Sequence, residues 1–147
     1  MMPNGTQEIH ISKRKEEVWK FLQDINNWAP LITGYIEHEV ISEEQFTWKF
    51  RADLGMLQKN IVLQVDITER TEPSKITFNL EGLNESLDGN GFFEMHEAAD
   101  QTTDLTGYLD IKGKGMMGSM INTMMKNYVP QTVEELTKKV GEQSEYY

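Results

Sequence analysis

A period of two in hydrophobicity constrains the fold of this chain more than any other feature, and it runs for about eighty residues from Tyr35. Apolar and polar residues alternate through residues 46–54 and again through residues 61–67. Such alternation is typical of a sheet with one buried face and one solvated face. Turn-forming residues at 72–74 and 89–91 separate further segments of the same kind. Because short turns exclude parallel crossovers, the pattern predicts an antiparallel meander of six strands.

One more predicted strand and two short helices precede this meander. Residues 8–11 alternate and predict one more strand, which joins an edge of the sheet. The period then changes at Ser12, a suitable N-cap, which predicts a short helix. A second short helix is predicted over residues 26–31, ended by Pro30 and Gly34.

The C-terminal segment carries an apolar stripe at three- and four-residue spacing, which predicts a long helix. Pro130 lies inside this pattern and predicts a kink or a division of the helix. Residues 141–147 are expected to be a frayed tail. The stripe comprises Met117, Met120, Ile121, Met124, Tyr128, Val133, Leu136 and Val140.

This helix is the long element left to cover the apolar face of the sheet, so the predicted fold class is α+β. It is a helix-grip arrangement, with a seven-stranded curved antiparallel sheet wrapped around the C-terminal helix and two short helices after strand 1. A length of 147 residues fits one domain, over residues 1–147.

Composition excludes several classes of function. The net charge is −10 and the cationic residues form no block, which argues against nucleic-acid binding. The absence of cysteine excludes disulfides and thiolate chemistry, and suits a cytoplasmic location. No segment approaches the roughly 20 apolar residues of a membrane-spanning helix. An anionic membrane would repel the domain as a whole, although an apolar tip could make transient contact with lipid.

No pattern of catalytic or metal-binding residues occurs in the sequence. His10, His38 and His96 fall on three separate predicted strands, without the local spacing of a metal site. No nucleophile elbow or phosphate-binding loop is present. We therefore predict no catalytic residue, no metal and no cofactor.

A family resemblance rests on short motifs whose order and spacing together are specific. With these motifs the chain resembles the START/Bet v 1-like (SRPBCC) superfamily, and within it the CoxG-like family of carbon monoxide dehydrogenase accessory proteins. The motifs are Ile9-x-Ile11, Val18-Trp19-x-Phe21-Leu22-x-Asp24, Trp28-Ala29-Pro30-Leu31-Ile32-x-Gly34, Leu54-Gly55, Gly82, Gly91, Thr103-x-Leu105 and Gly113.

The resemblance implies an apolar ligand held between the curved sheet and the long helix. It also implies a link to a molybdenum-containing carbon monoxide dehydrogenase or similar enzyme, through maturation, membrane recruitment or handling of a lipid-like quinone. From the residues themselves, inward-facing aromatics either line such a cavity or pack as an ordinary core, and alternation alone does not separate the two.

Methionines at the start of the C-terminal helix predict a portal to the cavity. Met116, Met117 and Met120 would form it against the loop at residues 28–35, because methionine adapts to guests of different shape. A loosely packed helix start is the alternative. The predicted cavity and portal residues are Trp28, Leu31, Tyr35, His38, Trp48, Phe50, Leu63, Phe78, Phe93, Met95, Leu109, Met117, Met120, Ile121, Met124 and Tyr128.

These features predict a non-enzymatic carrier of a hydrophobic or amphipathic small molecule. Burial of apolar area would drive binding, with polar groups at Tyr35, His38 and Tyr128 fixing the orientation of the ligand. One alternative is a polyketide cyclase or aromatase, which needs a buried acid or base such as His38 or Tyr128. Another is an accessory module that docks on a partner enzyme through exposed methionines. The sequence leaves the oligomeric state open.

Overall fold

The structure, a computed structural model, describes residues 3–55 and 57–147. Seven strands, three α-helices and two 3-10 turns account for most of these residues. In chain order they are β1 (Asn4–Ile11), α1 (Lys15–Leu22), α2 (Ile25–Trp28), a 3-10 turn (Ala29–Leu31), β2 (Tyr35–Ser42), β3 (Gln45–Asp53), β4 (Gln58–Thr71), β5 (Lys75–Gly82), β6 (Leu87–Glu97), a 3-10 turn (Ala99–Gln101), β7 (Thr103–Gly113) and α3 (Gly118–Glu145).

The strands form one antiparallel sheet in the order β1-β7-β6-β5-β4-β3-β2. Strands β2 to β7 are a meander, and β1 pairs with β7 along its whole length. The predicted fold class is therefore confirmed, because short turns between consecutive strands leave antiparallel neighbours as the simplest pairing.

Alternation assigns the faces of the sheet correctly. Phe46 lies opposite Val65 and Trp48 lies opposite Leu63, and all four side chains are buried. Residues between them along β3, such as Lys49, point to the other face. The inner face of the sheet is thus an uninterrupted apolar surface that the helices must cover.

Helix α3 packs against β1 and β7, at one side of this inner face. Two glycines let it approach. A Cβ atom on Gly5 would lie 2.6 Å from the Pro130 Cα atom, and one on Gly107 would overlap the Thr137 hydroxyl. Glycine in a strand often marks such a close approach. The two glycines therefore position α3 over β1 and β7, while the short helices cover the sheet further along.

Pro130 is predicted either to kink α3 or to divide it, and the structure contradicts the division. Helix α3 continues without interruption through Pro130, which removes one backbone hydrogen bond but lies against Gly5.

The prediction of a frayed tail from Gly141 is also wrong. Gly141 packs on Ile9, the backbone N–H of Ser12 donates to Glu145, and the Tyr147 ring meets Phe21 edge to face. Because of these contacts, α3 remains helical as far as Glu145.

The second short helix is confirmed in part. Helix α2 spans Ile25–Trp28 and the 3-10 turn that contains Pro30 completes the segment. Asp24 caps α2, since its carboxylate accepts the backbone N–H of Asn26 at 3.0 Å.

Candidate ligand groove

The inner face beneath the short helices is filled by aromatic side chains around Trp28. The indole N–H of Trp28 donates to the Leu22 carbonyl at 3.0 Å, which fixes the ring inside the sheet. Its ring lies edge-on to those of Phe46, Trp48 and Phe93, with centroid separations of 5.3 to 5.7 Å. This geometry is favourable for aromatic pairs and leaves the region densely packed.

Eight side chains that the sequence assigns to a cavity wall belong to this core and do not line the groove described below. The Trp48 indole N–H donates to the Ala29 carbonyl at 2.7 Å, so the 3-10 turn is fastened over them. For the seven that lie on strands, alternation correctly predicts that they face inward, but not that Trp28 of α2 fills the space between them. The eight, each 0% to 3% exposed, are Trp28, Trp48, Phe50, Leu63, Phe78, Phe93, Met95 and Leu109.

An open groove of about 460 Å³ lies between α3 and the end of β3. Its volume is within the range of small-molecule sites. Along α3 it extends from Thr123 to Glu135, a rise of about 18 Å. The residues that line it are Thr33, Arg51, Asp53, Leu54, Gly55, Thr123, Met124, Asn127, Tyr128, Gln131, Thr132 and Glu135.

The two ends of the groove differ in polarity. Leu54 and Met124 form an apolar end next to the β3–β4 loop. At the other end, the Thr33 hydroxyl donates to the Glu135 carboxylate at 3.3 Å, and the Arg51 backbone N–H donates to the carbonyl of Gly34. The groove can therefore accept a molecule with one apolar and one polar end.

Tyr128 lies between these two ends. Burial raises the pKa of Tyr128 to about 12, and the neighbouring Thr132 side chain opposes part of that shift in pKa. The phenolic oxygen is buried and makes no hydrogen bond within residues 3–55 and 57–147. At neutral pH it is a protonated phenol that can donate a hydrogen bond and cannot serve as a base.

The predicted portal does not form between the methionines and the loop at residues 28–35. Thr33 of that loop lies against Glu135 and is 3.5 Å from the Lys139 ammonium group. Glu135 is about 22 Å along the helix from Met120. The loop is held there by β3, because Arg51 donates to Gly34 at 2.8 Å.

Two of the predicted cavity residues, Met124 and Tyr128, line the groove. The remaining ones outside the aromatic core lie elsewhere: Leu31, Tyr35, His38, Met117, Met120 and Ile121.

His38 is engaged in a local network on β2. Its Nδ1 atom is 2.7 Å from the Tyr35 hydroxyl, and its Nε2 atom is 2.8 Å from the Asn26 amide oxygen. Because an amide oxygen only accepts, Nε2 carries the proton and Nδ1 accepts from Tyr35. His38 and Tyr128 therefore do not lie together at the groove.

Sequence reasoning missed the polar end of the groove, at Thr33, Arg51 and Asp53. Gly5 and Gly107 could have indicated where this end lies, because glycines in strands permit a helix to approach that side of the sheet closely. The lateral offset of α3 that they allow leaves the end of β3 uncovered.

Among the described residues, no three His, Asp or Glu side chains are grouped so that they could hold a metal ion. No helix within the same residues has the length and hydrophobicity to cross a bilayer.

Comparison with known proteins supports the fold. One protein-family model matches the chain over residues 2–143. A START superfamily protein from Mycobacterium smegmatis is similar over 97% of both chains, with a TM-score of 0.74 and 15% identity. No curated protein matches the chain in sequence.

Two further solved structures share the fold at lower similarity. The Zhui aromatase/cyclase from Streptomyces sp. R1128 gives a TM-score of 0.57 at 14% identity, over 99% of this chain and 88% of that one. Ara h 8.0201 gives 0.60 at 13% identity, over 95% and 98%. At these identities the likeness concerns the fold alone. The sheet order, the long helix over β1 and β7 and these similarities show that the chain has the helix-grip fold, which it shares with the START superfamily protein and with Ara h 8.0201.

Proposed function

We propose that this protein binds and carries an amphipathic small molecule in the groove between α3 and β3. The observation that carries the proposal is the groove itself, an opening of about 460 Å³ that runs beside α3 while the adjacent inner face is closed by the Trp28 core. Burial of apolar ligand surface would provide most of the binding free energy.

The polarity of the groove indicates how the ligand is oriented. We place its apolar part between Leu54 and Met124, and its polar end near Thr33, Arg51 and Glu135. An acyl or prenyl chain with a hydrogen-bonding head matches this arrangement. The CoxG-like resemblance supports a ligand of lipid or quinone type, and a cytoplasmic role beside an enzyme similar to carbon monoxide dehydrogenase.

A bulky side chain inside the groove provides the test. Gln131 is exposed and lines the groove, so Gln131→Trp should occupy the ligand volume without disturbing the core. Gln143→Trp is the matched control, because Gln143 is exposed on the same helix and lies outside the groove. The probe is anilinonaphthalene sulfonate, whose fluorescence rises in apolar sites, with decanoate and decylubiquinone as competitors.

We expect the wild-type protein and Gln143→Trp to bind the probe and to release it to a competitor, whereas Gln131→Trp binds at least about tenfold more weakly. Equal binding by Gln131→Trp and Gln143→Trp would place the ligand elsewhere. Native mass spectrometry of protein purified from its own host then identifies the natural ligand by its mass.

A further inference from the structure

A second depression, of about 490 Å³, lies at the other end of β3 from the ligand groove. The groove lies where β3 ends, whereas this depression lies beside the β2–β3 and β4–β5 turns, near the start of β3. The connection between α1 and α2 forms its opposite side. The two openings share no residue, so the depression is a separate candidate site.

Part of the lining of this depression is apolar. Trp19 of α1 and Ile25 of α2 belong to the hydrophobic core, whereas Val40 of β2 is 45% exposed. Val40 lies opposite Phe46, whose side chain is buried, so both point to the inner face of the sheet. Because β2 is an edge strand that the short helices cover incompletely here, the depression offers apolar surface to a ligand.

Trp19 brings a hydrogen-bond donor without a partner to the depression. Its side chain is 4% exposed, and its indole N–H makes no hydrogen bond within the part of the chain that the structure describes. The indole N–H groups of Trp28 and Trp48 both donate to backbone carbonyls. An unpaired buried donor costs free energy, which a ligand with an acceptor atom would recover.

Carboxylates outnumber cations around the depression. Asp24, Glu43 and Glu72 line it together with the guanidinium group of Arg70. Asp24 caps α2, but the side chains of Glu43 and Glu72 make no hydrogen bond or ion pair with any residue that the structure describes. Arg70 donates to the Glu43 carbonyl at 2.6 Å and forms no ion pair among the same residues. Both glutamates are thus available to an external cation.

The charge of the depression indicates an organic cation. An excess of carboxylates in a cleft attracts cations and disfavours anions. These carboxylates do not form a group that could hold a metal ion, since no such group occurs among residues 3–55 and 57–147. An ammonium group does not need several converging ligands, because it can pair with one carboxylate at a time and can also lie against an indole ring.

We propose that this depression binds a small primary amine that also carries a hydrogen-bond acceptor and a short apolar side chain. Its ammonium group would pair with Glu43 and Glu72, and its acceptor oxygen would take the N–H of Trp19. Its apolar part would lie against Val40. Amides and esters of apolar amino acids have this chemistry. The site does not depend on the function proposed for the groove.

The three tryptophans provide their own signals for the test. Each indole N–H gives one peak in a two-dimensional proton–nitrogen NMR spectrum, and Trp19→Phe identifies the peak of Trp19. The peaks of Trp28 and Trp48 are internal controls, since both groups already donate within the core. The probe is leucinamide, compared with isoamylamine, which lacks the acceptor, and isocaproamide, which lacks the ammonium group.

We expect leucinamide to shift the Trp19 peak in a saturable manner and to leave the Trp28 and Trp48 peaks in place. Isoamylamine should bind about fivefold more weakly, because it offers no acceptor to the indole N–H. Isocaproamide should give no saturable shift, because it carries no charge for the carboxylates.

Two bulky substitutions locate the site. Val40→Trp should fill the depression and weaken leucinamide binding at least about tenfold. Ile41→Trp is the matched control, because Ile41 is the adjacent exposed residue of β2 and lies outside the depression. Gln131→Trp, which fills the groove beside α3, should retain leucinamide binding. Failure of either proposal can therefore be distinguished from failure of the other.

Removal of charge tests the role of the carboxylates. The double variant Glu43→Gln, Glu72→Gln keeps the shape of both side chains and should weaken leucinamide binding about fivefold. The double variant Glu39→Gln, Glu81→Gln removes two exposed carboxylates outside the depression and should bind as the wild-type protein does.

The proposal is overturned if leucinamide leaves the Trp19 peak in place at low ionic strength, or if isocaproamide shifts this peak equally. Equal binding by Val40→Trp and Ile41→Trp would overturn it too, because the amine would then bind elsewhere. So would equal binding by the two double variants, because the carboxylates would then have no part in recognition.

Discussion

The aromatic core around Trp28 and the groove beside Tyr128 lie on the same inner side of the sheet, yet one is filled and the other is open. In the core, α2 and the 3-10 turn that follows it place the Trp28 ring among the aromatic rings of the sheet. At the groove, α3 rests on Gly5 and Gly107 and leaves the end of β3 uncovered. The comparison shows that the covering elements, rather than the strands, decide where such a sheet keeps open space.

The largest effect is expected in the core. Trp28→Ala removes a fully buried ring and should reduce the free energy of unfolding by about 3–5 kcal/mol, measured by urea denaturation. Tyr146→Ala, an aromatic truncation at a position 87% exposed, should change it by less than about 0.5 kcal/mol. A loss below about 1 kcal/mol for Trp28→Ala would contradict a filled core.

A smaller effect is expected where α3 meets the sheet. Gly107→Ala places a methyl group against the Thr137 side chain and should cost about 1–3 kcal/mol of unfolding free energy. Thr137→Ala removes the hydroxyl that the new methyl group would meet, so the double variant should recover part of the loss. A double-mutant cycle measures this coupling. Strict additivity of the two changes would argue against a direct contact between helix and strand.

The groove should give a pH-dependent signature. Tyr128 has a folded-state pKa of about 12, above the ordinary tyrosine value of about 10. The unfolded chain therefore loses this proton first as the pH rises. Stability attributable to Tyr128 is intact below about pH 10 and declines by about 1.4 kcal/mol per pH unit up to about pH 12.

Chemical denaturation of the wild-type protein and of Tyr128→Phe across this range measures that slope as a difference. Tyr108, whose pKa is also raised by burial, is common to both proteins and cancels. Parallel pH profiles would show that the phenol is solvated rather than buried beside the groove.

The smallest effect is expected at Met116, in the loop between β7 and α3. Met116→Ala should leave the free energy of unfolding within about 0.5 kcal/mol of the wild-type value, since the side chain is fully exposed. Thermal unfolding tests this directly. A substantial loss would mean that Met116 packs on the protein.

The predictions from sequence succeed where one local period dictates one local structure. Alternation along β3 and β4 correctly identifies Phe46, Trp48 and Leu63 as inward-facing, because successive side chains of a strand point to opposite faces. The same alternation does not show whether an inward side chain meets a partner or an opening. Trp48 and Phe50 are buried in the core, and their predicted role in lining a cavity stays a prediction.

The candidate site depends on contacts between residues that are distant in sequence. Thr33 reaches Glu135 across 102 residues, and neither has a local motif that predicts this contact. Met124 and Tyr128 are predictable from the helical stripe, since a stripe shows which side chains face the sheet. Their neighbours in the groove, Arg51 and Asp53, are not predictable in this way. The apolar stripe shows which face of α3 meets the sheet, but not which strands α3 covers.

The sequence by itself determined the elements of this protein, their antiparallel order and the side of each strand that is buried, because periods of two and 3.6 residues are local properties of the chain. Only the tertiary structure decided that Trp28 closes one part of the inner face and that α3, seated on Gly5 and Gly107, leaves the other part open. The physical reason is that open space depends on how elements distant in sequence fit against one another, at a scale of single side chains.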